Sequence, residues 1–298
     1  MHISKILFSL ALAALPLSAQ KDHNLVTNGE FTGTLAPWVL GGGYSLNPAL
    51  DTTYATNGYT VSDSFGCGPG GLVTPAPYPA NTIEQTITVV NGLTYELRCD
   101  VSSSRATSTG TNSDAGTIYV EVNAIEVARV AFGSITINET KRAQLCARFQ
   151  ATTTGSVTLK FFFARTFLAN SGTPRVNLDN VSVEDITGPV YCIKGNRKVN
   201  TSVPFTVDGE PSALYATFIA AGRLPSGLAV GGFNGLWYLD FASTNLFLNG
   251  SLDASGKAST SILIPNDPIL LTVPLYHQAV TIGSTREFSS DFACVMTK

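Results

Sequence analysis

The chain has 298 residues, of which 44% are hydrophobic and 13% charged, and its 21 acidic and 18 basic side chains leave a net charge of −3. Nucleic-acid binding needs a dense Lys/Arg surface to displace counterions, so that class is excluded, and 16 Phe and 10 Tyr supply too much buriable surface for a disordered chain. Three histidines exclude a His-rich metal site and leave little material for a Ser/His/Asp triad.

The N-terminus carries His2 and Lys5, an apolar run over residues 6–17, and the small-residue end Leu17-Ser18-Ala19-Gln20. This is the pattern of a secretory signal peptide cut after Ala19 or Gln20, and the run falls short of the ~20 apolar residues needed to span a bilayer. No later run reaches spanning length; residues 269–282 are interrupted by Pro274, Tyr276, His277 and Gln278. The expectation is a secreted or cell-surface protein with no transmembrane segment in its mature chain.

Period-two alternation dominates the rest of the chain, which predicts an all-β fold. Ile83, Gln85, Ile87 and Val89 alternate with Glu84, Thr86 and Thr88; Asn91-Gly92 then predicts a type I′ hairpin. The return strand sets Tyr95, Leu97, Cys99 and Val101 against Thr94, Glu96, Arg98 and Asp100. A long loop is expected from Ser102 to Asp114. Ile118, Val120 and Val122 alternate with Tyr119 and Glu121, and Val157, Leu159, Phe161 and Phe163 with Thr158, Lys160 and Phe162. A turn-rich boundary falls near residues 185–190. Beyond it come short apolar bursts over 203–207, 213–220, 236–241, 261–264, 270–282 and 291–296, with 213–221 readable as helix or strand. The division is therefore a signal (1–19), a β-sandwich domain (20–187) and a smaller β-sandwich (188–298).

Cys67, Cys99, Cys146, Cys192 and Cys294 match no zinc or redox spacing. Export permits disulfides. Cys192 and Cys294 lie in the first and last apolar segments of the second domain, where a bridge would close it; buried free thiols are the alternative.

Two segments near the ends of the first domain carry a resemblance. Asn24-Leu25-Val26-Thr27-Asn28-Gly29-Glu30-Phe31 with Pro37-Trp38, and Leu178-Asp179-Asn180-Val181-Ser182-Val183, resemble the opening and closing motifs of the bacterial carbohydrate-binding modules of families 4 and 9, the CenC-like set. The alternating pair about Asn91-Gly92 resembles their central hairpin, and Arg148-Phe149-Gln150-Ala151 a later strand. The resemblance covers about residues 24–185 and implies a jelly-roll (galactose-binding-like) sandwich that binds carbohydrate. It also implies a structural Ca²⁺ held by Glu30 and Asp179, although Thr32 stands where the family often has Glu. Trp38 is expected in the core. The C-terminal part, with Leu236-Trp237-Tyr238-Leu239-Asp240, Pro265-Asn266-Asp267-Pro268 and Tyr276-His277-Gln278, resembles a module that recurs on exported bacterial proteins and implies no activity.

Sugar recognition on such a scaffold combines aromatic rings with a few charged or amide groups. If the strands over 93–101 and 157–163 are neighbours, Glu96, Arg98, Asp100, Lys160 and Phe162 share one outward face; the same pattern fits an ordinary solvated sheet. A second candidate is the loop surface bearing Tyr44, Tyr54, Tyr59, Phe65 and Tyr78. Catalytic patterns are weak. Glu96 and Asp100 on one strand lie about 13–14 Å apart, beyond the ~5–9.5 Å of a glycosidase pair, and no Gly-x-Ser-x-Gly or His-Glu-x-x-His occurs. The sequence thus leads to a secreted non-catalytic carbohydrate-binding protein, with a structural or adhesive surface protein as the rival and a glycan-active hydrolase third.

Overall fold

The computed structural model describes residues 24–42, 48–58, 60–69, 80–106, 111–112, 114–165 and 174–297. The expected signal peptide, Tyr44, Tyr59 and Tyr78 lie outside the described residues. The first strands are β1 (Val39–Gly41), β2 (Ala49–Tyr54), β3 (Ser62–Cys67), β4 (Asn81–Val89), β5 (Thr94–Ser104) and β6 (Thr111–Asn112). There follow β7 (Thr117–Val122), β8 (Ile125–Ala131), β9 (Ile135–Thr136), β10 (Thr140–Gln150), β11 (Gly155–Ala164) and β12 (Arg175–Asp185). The remainder are β13 (Val190–Ile193), β14 (Ser202–Asp208), β15 (Leu214–Ala220), β16 (Arg223–Ala229), β17 (Leu236–Leu239) and β18 (Asn245–Ser251). The last are β19 (Lys257–Leu263), β20 (Leu275–Ile282), β21 (Arg286–Phe288) and β22 (Phe292–Cys294), with a 3₁₀ turn at Pro268–Leu271 before β20. Among the described residues no helix is long and apolar enough to cross a membrane.

The fold is all-β, in two groups of sheets. In the first, the antiparallel sheets β1-β4-β11-β7-β8 and β10-β5-β12-β3-β2 enclose one core. The alternation read from sequence fills it: Ile83 and Ile87, Ile118 and Val120, and Leu159, Phe161 and Phe163 all point inward. Trp38 is buried as expected, against Phe31 and Phe161 at 5.5 and 6.0 Å between centroids. Gln85 alternates inward too; its amide exchanges two hydrogen bonds with the Thr27 backbone (2.7 and 2.8 Å), which is how a polar group is accommodated there.

The second group holds the sheets β13-β14-β19 and β18-β15-β20-β21, with β22 also pairing β20, and the hairpin β16-β17. One core cluster gathers around Tyr191, Phe205 and Phe292, another around Trp237, Val280 and Phe288. Residues 214–220 form a strand rather than a helix.

Three expectations are corrected. Strands β4 and β5 do not form a hairpin; they belong to opposite sheets. Gly92 has positive φ (84°) while Asn91 does not, so the turn closed by the Leu93 N–H on the Val90 carbonyl (3.1 Å) is not type I′ and lets its strands splay. The expected loop from Ser102 begins later, because β5 runs to Ser104 in register with β10. Finally, Cys192 pairs with Cys146, not Cys294. Strands β10 and β13 bring their Cα atoms to 6.2 Å, inside the disulfide range, whereas Cys294 turns into the second group's core with Sγ 3.4 Å from His277 Nε2.

The two end motifs meet in space. Asn24 Nδ2 donates to the Val181 carbonyl (3.1 Å) and Asn24 Oδ1 accepts from Val183 N (2.9 Å), while Val181 N donates to the Gly29 carbonyl at 2.9 Å. A Cβ on Gly29 would stand 1.9 Å from the Val181 oxygen. Gly29→Ala is therefore expected to cost about 1–3 kcal/mol, the range for overpacking, and to lower Tm by several degrees in a thermal melt. Non-reducing peptide mapping is expected to recover a Cys146–Cys192 cross-link, with Cys67, Cys99 and Cys294 alkylated after unfolding and not before, since all three are buried and burial raises the thiols.

Candidate functional site

Glu96, Arg98 and Asp100 alternate outward from the sandwich core, yet they are 4%, 9% and 7% exposed. The second sheet group covers them. Arg98 Nη2 pairs with Glu96 and donates to the Tyr191 carbonyl at 3.1 Å; Nη1 donates to Gln144 Oε1 at 2.7 Å. Ser290 Oγ donates to Glu96 Oε2 at 2.6 Å, and the guanidinium lies 4.6 Å from the centroid of Phe292.

Beside this cover remains a cavity of about 550 Å³. Its wall from the first group includes Glu30, Asn57, Thr60, Ser62, Asp63, Arg98, Asp100, Gln144 and Asn180; Asp291, Phe292 and Ala293 close it from the second. Side-chain amides, hydroxyls and carboxylates share the lining with the Arg98 guanidinium, Cys99, Phe292 and Ala293. Its one ring, Phe292, is buried, with the Arg98 guanidinium against it and His277 stacked at 5.1 Å.

A bulge builds the acidic side. Asp179 faces Asp100 in the β12–β5 register, and the register then shifts before Ser182, with Asn180 in the left-handed region (φ 52°). That turn sends the Asn180 amide to Asp100 Oδ2 at 2.9 Å and its N–H to Asp179 Oδ1 at 2.7 Å. Burial pushes the Asp179 carboxyl up to about 7, helped by Asp100 and Glu30 and opposed by hydrogen bonds from Ser62 and Asn180. Burial raises Asp100 as well, against the pull of Arg197, Asn180 and Arg98. His277 is pushed down to about 3 by burial beside Arg197 and Arg98, so it stays neutral.

The expected shared face is divided. Lys160 and Phe162 lie on β11, in the opposite sheet from β5, so they cannot share a surface with Glu96, Arg98 and Asp100. There Lys160 pairs with Glu84 at 2.7 Å, and Phe162 stacks on Tyr119 at 4.4 Å and 4°, with Arg129 over the far face of that stack. Of the described loop aromatics, Phe65 is a core residue of β3, and Tyr54 is half-buried at the end of β2 with the Arg142 guanidinium 6.0 Å from its ring.

Glu30 stands close enough to Asp179 for its charge to help raise that carboxyl. Both Asp179 oxygens already accept, one from Ser62 Oγ at 2.5 Å and one from Asn180 N. Among the described residues no group of three or more His, Cys, Asp or Glu side chains is placed to hold a metal ion. Ca²⁺ takes six to eight oxygens, several of which can be backbone carbonyls, so these two carboxylates would need further donors beside them to hold one.

Sequence reasoning reached Arg98, Asp100 and Glu30 of this wall and missed Gln144, Asn180, Asp63 and Asp291. Asn180 sat in a quoted motif; its positive φ, which aims it, has no signature in a single sequence.

No family model matches the chain, and no curated protein matches it. The fold is similar to the N-terminal CBM22-1–CBM22-2 tandem domain of Xyn10C from Paenibacillus barcinonensis (11% identity, TM-score 0.35, covering 95% of this chain and 100% of that one). It is also similar to a Paenibacillus xanthan lyase (14%, 0.28, 85% and 25%) and to the adhesin domain of Epf from Streptococcus pyogenes (12%, 0.25, 78% and 76%). At these identities and TM-scores the likeness carries no functional argument.

Because the folded-state carboxyl of Asp179 lies above its ordinary value, its proton stabilises the fold fully below about pH 4, and that contribution is lost as pH rises through about 7. Asp179→Asn is expected to remove this loss, gaining on the order of 2–4 kcal/mol over the native chain at high pH and little at low pH. Paired thermal melts at about pH 4.5 and pH 8 read it as a Tm gap that opens at the higher pH.

Proposed function

We propose that this is a secreted, non-catalytic carbohydrate-binding protein, built on a jelly-roll-type sandwich, that takes a sugar unit in the cavity between β5, β10, β12 and the C-terminal strand. The observation that carries the reading is the lining: side-chain amides, hydroxyls and carboxylates stand around a space of about 550 Å³ together with the Phe292 ring, the mix of hydrogen-bonding groups and apolar surface that a sugar meets. The non-catalytic part is supported by the sequence, which offers no Gly-x-Ser-x-Gly or His-Glu-x-x-His pattern.

A structural or adhesive role is favoured by a different observation. The face expected to bind is largely committed to holding the two sheet groups together, and a disulfide ties the same seam. Retention on a panel of insoluble polysaccharides separates the two. Under the binding reading, Asp63→Ala and Arg98→Ala lower retention at least about tenfold, a loss of about 1.4 kcal/mol, while Phe162→Ala on the opposite sheet leaves it unchanged. Arg98→Ala uncovers a buried Glu96, so Asp63→Ala decides the matter if that variant does not fold. No retention on any polysaccharide sinks the binding reading; a calcium-dependent rise in Tm returns the ion to Glu30 and Asp179.

A further inference from the structure

A second, smaller cavity lies on the seam itself. Strand β10 of the first sheet group faces β13, β14 and β19 of the second across a space of about 170 Å³, with Cys146 and Cys192 in its wall. The charge in that wall is lopsided. Arg148 comes from β10, Lys194 from the residue after β13 and Lys257 from the start of β19, and Asp208 on β14 is the one carboxylate among them. All three cations act on that carboxylate: burial raises Asp208, and Lys257, Arg148 and Lys194 each pull it back down. Yet neither of the two nearest closes on it. Arg148 Nη1 stays 3.8 Å from Asp208 Oδ1 and Lys257 Nζ 3.9 Å from Oδ2, both beyond hydrogen-bond distance.

Lys194 is the member least provided for. Its ammonium gives one hydrogen to the Cys146 carbonyl at 2.7 Å, and among the described residues no carboxylate stands within ion-pairing distance of it. Burial holds it below the usual lysine range, with Arg98 and Lys257 adding to the effect and Asp208 opposing it. An ammonium withdrawn from water without a paired counter-charge costs free energy that an anion entering beside it would recover. Asp253, whose charge also reaches Asp208, is committed elsewhere: its Oδ1 accepts the Ser255 and Lys257 backbone N–H groups of its own turn. Thr206 and Ser259, opposite each other in the β14–β19 register, add two hydroxyl groups to the same wall.

We propose that this cavity is an anion site, taking one compact oxyanion (a free sulfate or the carboxylate of an acidic sugar) between Arg148, Lys194 and Lys257, with Thr206 and Ser259 donating to its oxygens. The site is separate from the larger cavity and does not depend on the carbohydrate-binding reading. An oxyanion accepts several charge-assisted hydrogen bonds at once, which suits guanidinium and ammonium donors arriving from three different strands. An occupant touches both sheet groups, so it binds the assembled seam and stabilises it by mass action.

The test is the Tm of the full chain, disulfide intact, at about pH 7 as sodium sulfate replaces sodium chloride at constant ionic strength. Binding at the seam gives a rise that saturates with concentration, whereas the general salting effect of sulfate climbs steadily and is common to every variant. A saturating rise is expected. Lys257→Gln and Lys194→Gln are each expected to move its midpoint at least about threefold to higher sulfate, while Arg286→Gln, on a different sheet, leaves it in place. Lys257 is exposed, so its variant decides if Lys194→Gln does not fold. A uronic acid trisaccharide is titrated in parallel. A response to it with the same dependence on both lysines supports the site and assigns the oxyanion to an acidic glycan; a response to sulfate alone supports it as a site for the free ion. No saturating rise with either probe, or one that both substitutions leave in place, overturns the assignment.

Discussion

The Arg98 guanidinium is the group on which the arrangement of the two sheet groups turns. It sits at the middle of β5, 9% exposed, and its donors reach Glu96 beside it, Gln144 on β10 and the Tyr191 carbonyl on β13, with Phe292 of β22 against its face. A buried ion pair adds little net stability over an apolar substitute, but removing one partner strands the other charge at a cost of about 3–5 kcal/mol. Its value is directional. A planar fork with several fixed donors accepts one placement of its partners, so the second group is held in one pose over β5 and β12. Asp100 lies two residues further along the same face, and the pose that engages both Nη atoms of Arg98 leaves the wall containing Asp100 open as a cavity.

A second constraint acts on the backbone. The register shift after Asp179 and the left-handed Asn180 turn part of β12 toward the N-terminal segment, whose Asn24 and Gly29 take up the Val181 and Val183 backbone groups. Polar groups that the bulge removes from the ladder are thereby satisfied, as buried backbone must be. The same distortion orients Asn180 toward Asp100. Closure of the sandwich and construction of the acidic wall are thus one local event.

Single-chain periodicity records which residues of a strand share a face, and Ile83 through Val89, Tyr95 through Val101 and Val157 through Phe163 all alternate as read. It does not record what covers that face. Glu96, Arg98 and Asp100 look solvated because charged side chains usually are, and nothing local to β5 announces Tyr191, Ser290 and Phe292 from about a hundred and two hundred residues away. Nor does it record sheet partners. The Asn91-Gly92 pair reads as a hairpin because the dipeptide suits one; the φ of Asn91, settled by tertiary context, makes it a corner between sheets. The partner of Cys192 escapes the sequence for the same reason, since pairing depends on which strands meet. Gly29 and Asn180 are legible as motif members, and their close approach is not.

The Cys146–Cys192 bond also governs how the molecule transmits force. It closes a 46-residue loop that contains β11, the middle strand of its sheet, and β12, the middle strand of the other. Tension applied to the two ends of the chain passes across the sulfur atoms and bypasses that loop. About 150 Å of extended backbone is withheld from stretching while the bond stands. Pulling can strip strands from either side, but the central strand of each sheet in the first sandwich stays slack.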